Sequence, residues 1–264
     1  RRDARPGRGP RPGTVSRPAA AAPPPEAIPL ISRGFVGLRV VGDVHGEAVA
    51  FAHAIAGAEA EGLYLLQLGD LTDYGPDSPE ALRLIFGVLD RRQGRFLLGN
   101  HDHKLRRALT GQPVRYPMDG LGRTLEQLAR APDGPALKAR AVAEIAVAPP
   151  WLRLGSWFFV HAAWHPRMRH LPPPGDAGTS KPDPVLSRAL FGQVTGRTRP
   201  DGYPERVYDW VDWIPPGLTV HCGHDRRSPD GRPYVQEGAL GGLAMFLDTG
   251  AGKGGHLSWL DLRW

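Results

Sequence analysis

The sequence predicts an α/β fold, and three observations carry that prediction. Short apolar runs alternate with segments of helical spacing from residue 35 onward. Each of the early runs ends in a glycine-bounded polar turn, and near residue 151 the pattern shortens to that of a hairpin. Strands are expected at 35–41 (FVGLRVV), 63–68 (LYLLQL) and 95–98, ending in GDVHG, GDLTDYGPDS and GNHD. Helices should follow them at 47–60, at 79–92, where Leu82, Ile85, Phe86 and Leu89 share a face, and at 104–109. Residues 121–148 have helical spacing interrupted at 132–135, where Pro132 and Pro135 fall. Beyond them, 151–154 and 157–160 flank a Gly155-Ser156 turn and predict a hairpin that ends at His161. The Pro- and Gly-rich segment 166–184 is expected to be a long irregular loop, with later strands at 218–222, 243–248 and 256–262. Everything from residue 31 is assigned to one domain with two sheets.

Composition narrows the function classes. A chain of 264 residues, 41% hydrophobic and 23% charged, is ordinary for a globular protein. It contains no apolar run of about 18 residues and no apolar leader core, so no membrane partner and a cytoplasmic location are expected. The single cysteine, Cys222, excludes an internal disulfide framework. The formal charge of +6 is concentrated at the start: leaving out 1–33 takes the basic count from 33 to 26 and the acidic count from 27 to 25. Residues 1–30 are rich in Arg, Pro, Ala and Gly and are expected to be a disordered, solvated tail, with an RNA-tethering arm as the alternative. The near-neutral remainder gives no indication of a nucleic-acid partner. Oligomeric state cannot be read from this pattern.

The polar residues at the expected strand ends are Asp43, His45, Asp70, Asn100, His101, His161, His224 and Asp248. In open α/β sheets such ends gather ligands, so residues far apart in sequence can converge. Asp43 and His45, two apart in extended backbone, face the same side. Oxygen and imidazole donors without thiolate favour manganese, iron, zinc or similar ions. A carboxylate such as Asp70 can bridge two ions about 3.5–4 Å apart, an arrangement that activates water for in-line phosphoryl displacement. His101 would be placed to protonate the leaving oxygen, with Asp73 holding its imidazole in one tautomer. Each motif alone also fits a simple turn. Their succession after apolar strands, with Asp43, Asp70 and Asn100 separated by 27 and 30 positions, does not.

GDVHG, GDLTDYGPDS, GNHD, VHAA (160–163) and CGHD (222–225) resemble the motifs of the calcineurin-like metallophosphoesterase superfamily, over essentially the whole globular part. The resemblance implies a four-layer αββα sandwich of two mixed β-sheets flanked by helices, with a dinuclear metal site. One metal would take Asp43, His45 and Asp70, the other Asp70, Asn100, His161 and His224, with His101 as acid beside Asp73. Manganese is the expected metal, with iron, zinc or nickel as alternatives. GNHDHKLRRALTG (99–111), RTLEQL (123–128), ALFGQVTGRTRPDGYPERV (189–207) and FLDTGAG (246–252) look more specifically like the phosphatase module of bacterial polynucleotide kinase-phosphatases. That branch lies near protein serine/threonine phosphatases and diadenosine tetraphosphate hydrolases. The implied activity is hydrolysis of a phosphomonoester on a phosphoprotein, nucleotide or RNA end. A diadenosine polyphosphate hydrolase or phosphodiesterase is one alternative, and a non-catalytic metal-binding relic another. Asp248 would join the site by analogy, or else be a turn residue.

Three departures matter. The related motif reads GD-x-x-D-R-G, with its arginine on substrate phosphate, whereas Tyr74 stands here. A neutral hydroxyl in place of a guanidinium forfeits roughly 1.5–3 kcal/mol of charged hydrogen bonding. Lys104, Arg107 and Arg197 are candidate replacement cations or else surface residues. Arg226 stands where many phosphodiesterase relatives carry another histidine, and no GxxxxGK[ST] occurs in the chain. His103, His165 and His170 are expected to be solvated, His221 buried and hydrogen-bonded, and most of the seven tryptophans packed in the core.

Overall fold

The structure is a computed structural model that describes residues 23–114, 118–200, 202 and 204–264. In chain order its first half comprises α1 (Ile28–Ile31), β1 (Gly37–Val41), α2 (Ala48–Ala60), β2 (Leu63–Gln67), α3 (Ser78–Asp90), β3 (Gly94–Phe96), α4 (Asn100–Leu109), α5 (Arg123–Arg130) and α6 (Gly134–Val147). The second half comprises β4 (Trp151–Leu154), β5 (Trp157–Val160), α7 (Pro184–Phe191), β6 (Gln193–Thr198), β7 (Pro204–Val207), β8 (Thr219–Cys222), β9 (Tyr234–Glu237), β10 (Leu243–Phe246) and β11 (Trp259–Arg263).

Two sheets stack between helical layers. The first has the order β11-β1-β2-β3 and the second β4-β5-β8-β10-β9, with β6 and β7 forming a separate hairpin. β1, β2 and β3 run parallel, as do β5, β8 and β10; β11, β4 and β9 pair antiparallel at their flanks. The period-2 alternation of each strand divides its side chains between two cores. Leu38, Val40, Tyr64, Leu66 and Leu68 meet Leu154, Phe159 and Leu247 between the sheets. Val41, Leu63 and Leu65 face the other way, against Phe51, Ile55, Leu82, Ile85 and Leu105 of the helices. On the far side of the second sheet, Phe158, Val160, Val220 and Phe246 pack on Val185, Ala189, Trp210 and Ile214. The result is the four-layer αββα sandwich.

Local chemistry sets the helix starts. The Asp77 carboxylate accepts from Glu80 N at 2.9 Å to cap α3, and Asp183 accepts from Leu186 N at 2.7 Å to cap α7. Pro135 in the first turn of α6 separates it from α5, as the sequence indicated.

Several expectations are corrected. GNHD is not a turn ahead of a helix at 104: α4 begins at Asn100, so Asn100 and His101 leave from a helix N-terminus rather than a strand. The order also extends further toward the N-terminus than residue 31. Pro25–Ala27 form a 3-10 turn leading into α1, Ala27 is fully buried and Leu30 packs on the inter-sheet core. Ala27 and Leu30 provide that anchor despite the surrounding prolines. Residues 1–22 of the tail expected at 1–30 lie outside the described residues. Segment 166–184 contains a 3-10 turn at Pro166–Arg169, and α7 begins at its end. The β6–β7 hairpin and β9 had no sequence signal because they are exposed or half-exposed and show no apolar alternation. His103 is buried rather than solvated.

His221 lies inside β8, stacked on Phe159 with ring centroids 5.0 Å apart. Among the described residues its Nδ1 has no hydrogen-bond partner, and burial lowers its pKa to about 4. A histidine depressed on folding costs nothing above the unfolded value near 6.5, and destabilises progressively as pH falls from there through 4. Replacing His221 by Phe is expected to remove up to about 3 kcal/mol of acid destabilisation at pH 4. Urea melts of both proteins at pH 7 and pH 4 measure it, and equal pH dependence would disprove the assignment.

Candidate active site

Because β1, β2 and β3 are mutually parallel, and β5, β8 and β10 likewise, their carboxyl ends collect at one edge of the sandwich. GDVHG follows β1, GDLTD follows β2, and GNHD follows β3. His161 follows β5, His224 follows β8, and Asp248 follows β10. The loops there adopt backbone that side chains rarely tolerate: φ is 44° at His45, 60° at Asp70, 78° at Asp73, 64° at Tyr74 and 64° at His224. Such strain concentrates where surrounding contacts hold it in place.

The expected ligand set converges. Asp70 Oδ2 lies 3.8 Å from His45 Nε2, 3.4 Å from His161 Nε2 and 4.0 Å from His101 Nε2. Asp43 Oδ2 is 3.9 Å from His45 Nε2. Asn100 Oδ1 lies 2.8 Å from His224 Nδ1 and 3.0 Å from His161 Nε2. Two overlapping groups, His45–Asp70–His101 and Asp70–His161–His224, each bring their donor atoms within 4.8 Å of one another. Asp70 belongs to both, as a bridging carboxylate must. The remote atoms are tied down by carbonyls: His45 Nδ1 donates to Thr72 O at 2.8 Å and His161 Nδ1 to Leu68 O at 2.9 Å. Both Nε2 atoms are thereby turned toward the cluster. Asp43 is oriented by His224 N–H, which donates to both carboxylate oxygens at 3.0 and 3.1 Å. That approach requires Gly223, where a Cβ would sit 2.0 Å from Asp43 Oδ1.

Burial dominates the electrostatics. It pushes the Asp43 carboxyl well up, reinforced by the nearby Asp248. Burial also works to raise Asp70, but His161 and His101 hold it well below the usual carboxylate range. Burial alone would lower His161, yet Asp70 and Asp43 pull it up to about 10. His45, with burial outweighing Asp70, falls to about 3. A pocket that crowds oxygen and imidazole donors without thiolate, and that protonates His161 to balance its carboxylates, suits divalent cations of the manganese, iron or zinc type.

His101 and Asp73 form the expected pair, with Nδ1 to Oδ2 at 2.5 Å. Asp73 is buried, which would raise its pKa, but the bond to His101, then Lys104 and Thr124, lower it. An ionised Asp73 accepts the Nδ1 proton and leaves His101 Nε2 facing Asp70. Lys104 is no stray surface cation: Nζ is 3.6 Å from Asp73 Oδ2. Tyr74 stands at the mouth, its ring centroid 5.1 Å from that of His45 and 5.4 Å from that of His101. Asp248 is buried at the site and accepts from Gly250 N at 2.8 Å. Arg107 is not brought in, since it bonds Gln112 and Pro113 O at the end of α4. Arg197 lies on the exposed β6, and His165 caps the 3-10 turn at Pro166–Arg169.

Sequence reasoning missed four supporting residues. Asp102, the last residue of GNHD, accepts from Asp70 N at 2.8 Å, Leu71 N at 3.1 Å and Gly99 N at 3.0 Å, stitching two site loops together. Thr124 donates to Asp73 Oδ1 at 2.8 Å, and Gln127, one turn on, bonds Ser78 N and Pro76 O; both come from the RTLEQL helix. Lys253 Nζ lies 4.3 Å from the Tyr74 ring centroid. Asp102 was visible within its motif, whereas nothing in the sequence linked 124 or 253 to residues near 74.

An αββα sandwich with carboxylates and imidazoles gathered at the ends of its parallel strands defines a metallohydrolase of the phosphoesterase class. The chain belongs to the calcineurin-like phosphoesterase family, whose model matches residues 38–191, more than half of its length. It is accordingly a phosphoester hydrolase. A bis(5'-nucleosyl)-tetraphosphatase PrpE [asymmetrical] from Geobacillus sp. strain WCH70 is 26% identical over 231 residues, covering 83% of this chain and 87% of that one. The protein of the same name from Bacillus subtilis strain 168 is 32% identical over 169 residues, 60% of this chain and 65% of that one. Among solved structures, one provisionally assigned as a diadenosine tetraphosphatase superposes with a TM-score of 0.52 at 23% identity, covering 88% of this chain and 96% of that chain. A protein serine/threonine phosphatase from Saccharomyces cerevisiae gives 0.50 at 13% identity, covering 88% and 81%. These two likenesses concern the fold. Among the described residues, no helix is long and apolar enough to cross a membrane.

Two outcomes follow from this geometry. Asp102→Ala leaves three buried N–H groups without an acceptor, so a loss of about 3 kcal/mol is expected, with weakened metal binding, measured by thermal melts and metal titration. The His161–Asp70 pair stabilises the metal-free fold fully below pH 6.5, a contribution lost as pH rises through 10. Divalent metal added at pH 7 should therefore displace a proton and bind more weakly as pH falls, which titration in a weak indicator buffer would register.

Proposed function

We propose that this protein is a metal-dependent phosphohydrolase that cleaves a dinucleoside tetraphosphate into unequal products bearing one and three phosphates. The observation that carries the reaction is Asp70, placed in both donor groups and 4.0 Å from His101 Nε2. Asp43, His45 and Asp70 would hold one divalent ion, and Asp70, Asn100, His161 and His224 a second. Manganese fits this donor set, as do iron, zinc and nickel. Bound there, the ions would polarise phosphoryl oxygens and activate water.

The chain's own residues supply the rest. His101 gives the Nε2 proton to the leaving oxygen as the bond from phosphorus to it breaks. Asp73 fixes the imidazole by its bond to Nδ1 and stabilises the charged form before transfer. The presence of this acid pair favours turnover over a binding relic, which has no use for a proton donor.

The substrate rests on the relatives, whose shared name is a tetraphosphatase and whose similarity runs over most of the chain. The second reading is a phosphomonoesterase, favoured by the motifs shared with the polynucleotide phosphatase module, RTLEQL above all, since its Thr124 and Gln127 brace the site.

Purified protein loaded with manganese should hydrolyse diadenosine tetraphosphate to a nucleoside mono- and triphosphate, resolved by anion-exchange chromatography. His101→Ala should lower kcat by about 100- to 10,000-fold, and Asp70→Asn should abolish both turnover and full metal occupancy. Preference for aryl phosphates, phosphopeptides or RNA-end phosphates would move the assignment to the second reading. Inactivity on the whole panel with both metals bound would refute it.

A further inference from the structure

The segment 248–255 (DTGAGKGG) leaves β10 and turns back over the site edge. Gly250, Gly252 and Gly254 have φ of 89°, 70° and 79°, conformations that fold it tightly. Gly252 is seated against GDVHG: a Cβ there would meet His45 Cβ and His45 O at 2.8 Å and Gly75 N at 3.2 Å. Only a glycine lets the loop lie this close, and the next residue is Lys253.

The Lys253 ammonium sits 4.3 Å from the Tyr74 ring centroid. That ring in turn touches His45 and His101 edge-on. Among the described residues the Lys253 side chain makes no ion pair and no hydrogen bond, in contrast to Lys104, which is held by Asp73. Its charge nevertheless reaches the site, acting to lower both His45 and Asp248. Exposed, and seated on an aromatic face, it retains three donors for an incoming anion. The polyanionic substrate must approach a cluster that already holds Asp43, Asp70, Asp73 and Asp248, so a cation at the entrance offsets repulsion there.

We infer that Lys253, seated on the Tyr74 ring beside the His101–Asp73 pair, is a substrate-binding residue that holds a phosphate group of the substrate. Tyr74 acts as its positioning residue. The pair occupies the place where the related motif carries one arginine, dividing that role between a ring and an ammonium from a distant loop. This rests on the phosphohydrolase reading above and adds a residue to it.

The experiment compares the manganese-loaded protein with Lys253→Met, Lys253→Arg, Tyr74→Phe and Tyr74→Leu. KM and kcat are measured on diadenosine tetraphosphate, and the affinity for inorganic phosphate by calorimetric titration. Lys253→Met should raise KM and the phosphate Kd by about 10-fold or more, the scale of a lost charged hydrogen bond, with metal content unchanged. Lys253→Arg should restore both to within a few-fold. Tyr74→Phe, which keeps the ring under Lys253, should bind phosphate more tightly than Tyr74→Leu, which should show part of the Lys253→Met defect. Phosphate affinity unaltered in Lys253→Met, or a defect that Lys253→Arg fails to repair, overturns the inference. The phosphate titration needs no turnover. If the unaltered protein is inactive on every substrate, the functional reading fails, yet this measurement still decides the role of Lys253.

Discussion

The parallel register of the inner strands is the constraint on which the rest of this molecule depends. β1, β2 and β3 share one direction, and so do β5, β8 and β10, so each sheet delivers its strand-end residues to a common edge. Parallel strands require crossovers, and the helices that make them cover the sheet faces with apolar side chains. The fold therefore separates its two tasks. The strand bodies build three apolar cores, and the strand ends, free of packing duties, can carry carboxylates and imidazoles that no core would accept.

Concentrating those groups is costly, and the protein meets the cost with hydrogen bonds and mutual neutralisation. Asp102 binds three backbone N–H groups of the Asp70 and Gly99 loops, and Asp43 accepts twice from His224 N. His161, raised by Asp70 and Asp43, provides the balancing positive charge in the protein without metal. The same arrangement that tolerates a proton at His161 is suited to a divalent ion, since both answer one excess of negative charge. Left-handed backbone at His45, Asp70, Asp73, Tyr74 and His224 is held against its own strain by this network.

Around this centre the supports come from distant parts of the chain. α5 reaches the GDLTDYGPDS turn through Thr124 and Gln127 and thereby fixes the carboxylate that orients His101. The glycine-rich loop after β10 sets Lys253 on Tyr74. The ammonium that lies over the Tyr74 ring comes from a residue 179 places further along the chain.

The sequence by itself determined the class of fold and the identity of the central residues. Apolar runs ending in GDVHG, GDLTDYGPDS and GNHD specify strands whose ends carry carboxylates, an amide and imidazoles, because periodicity and glycine-bounded turns are local properties. The pairing of His101 with Asp73 was legible in the same motifs. The start of α4 was misplaced because Asn and His carry little helix propensity, and tertiary bonds such as Asp70 Oδ1 to His101 N at 2.9 Å decide it. The exposed β6–β7 hairpin and the half-exposed β9 left no hydrophobic pattern to read. What only the tertiary structure decided was which distant side chains meet: Asp102 with Asp70, Thr124 with Asp73, Lys253 with Tyr74. Contacts between segments far apart in the chain depend on how layers pack, and packing leaves no period in a single sequence.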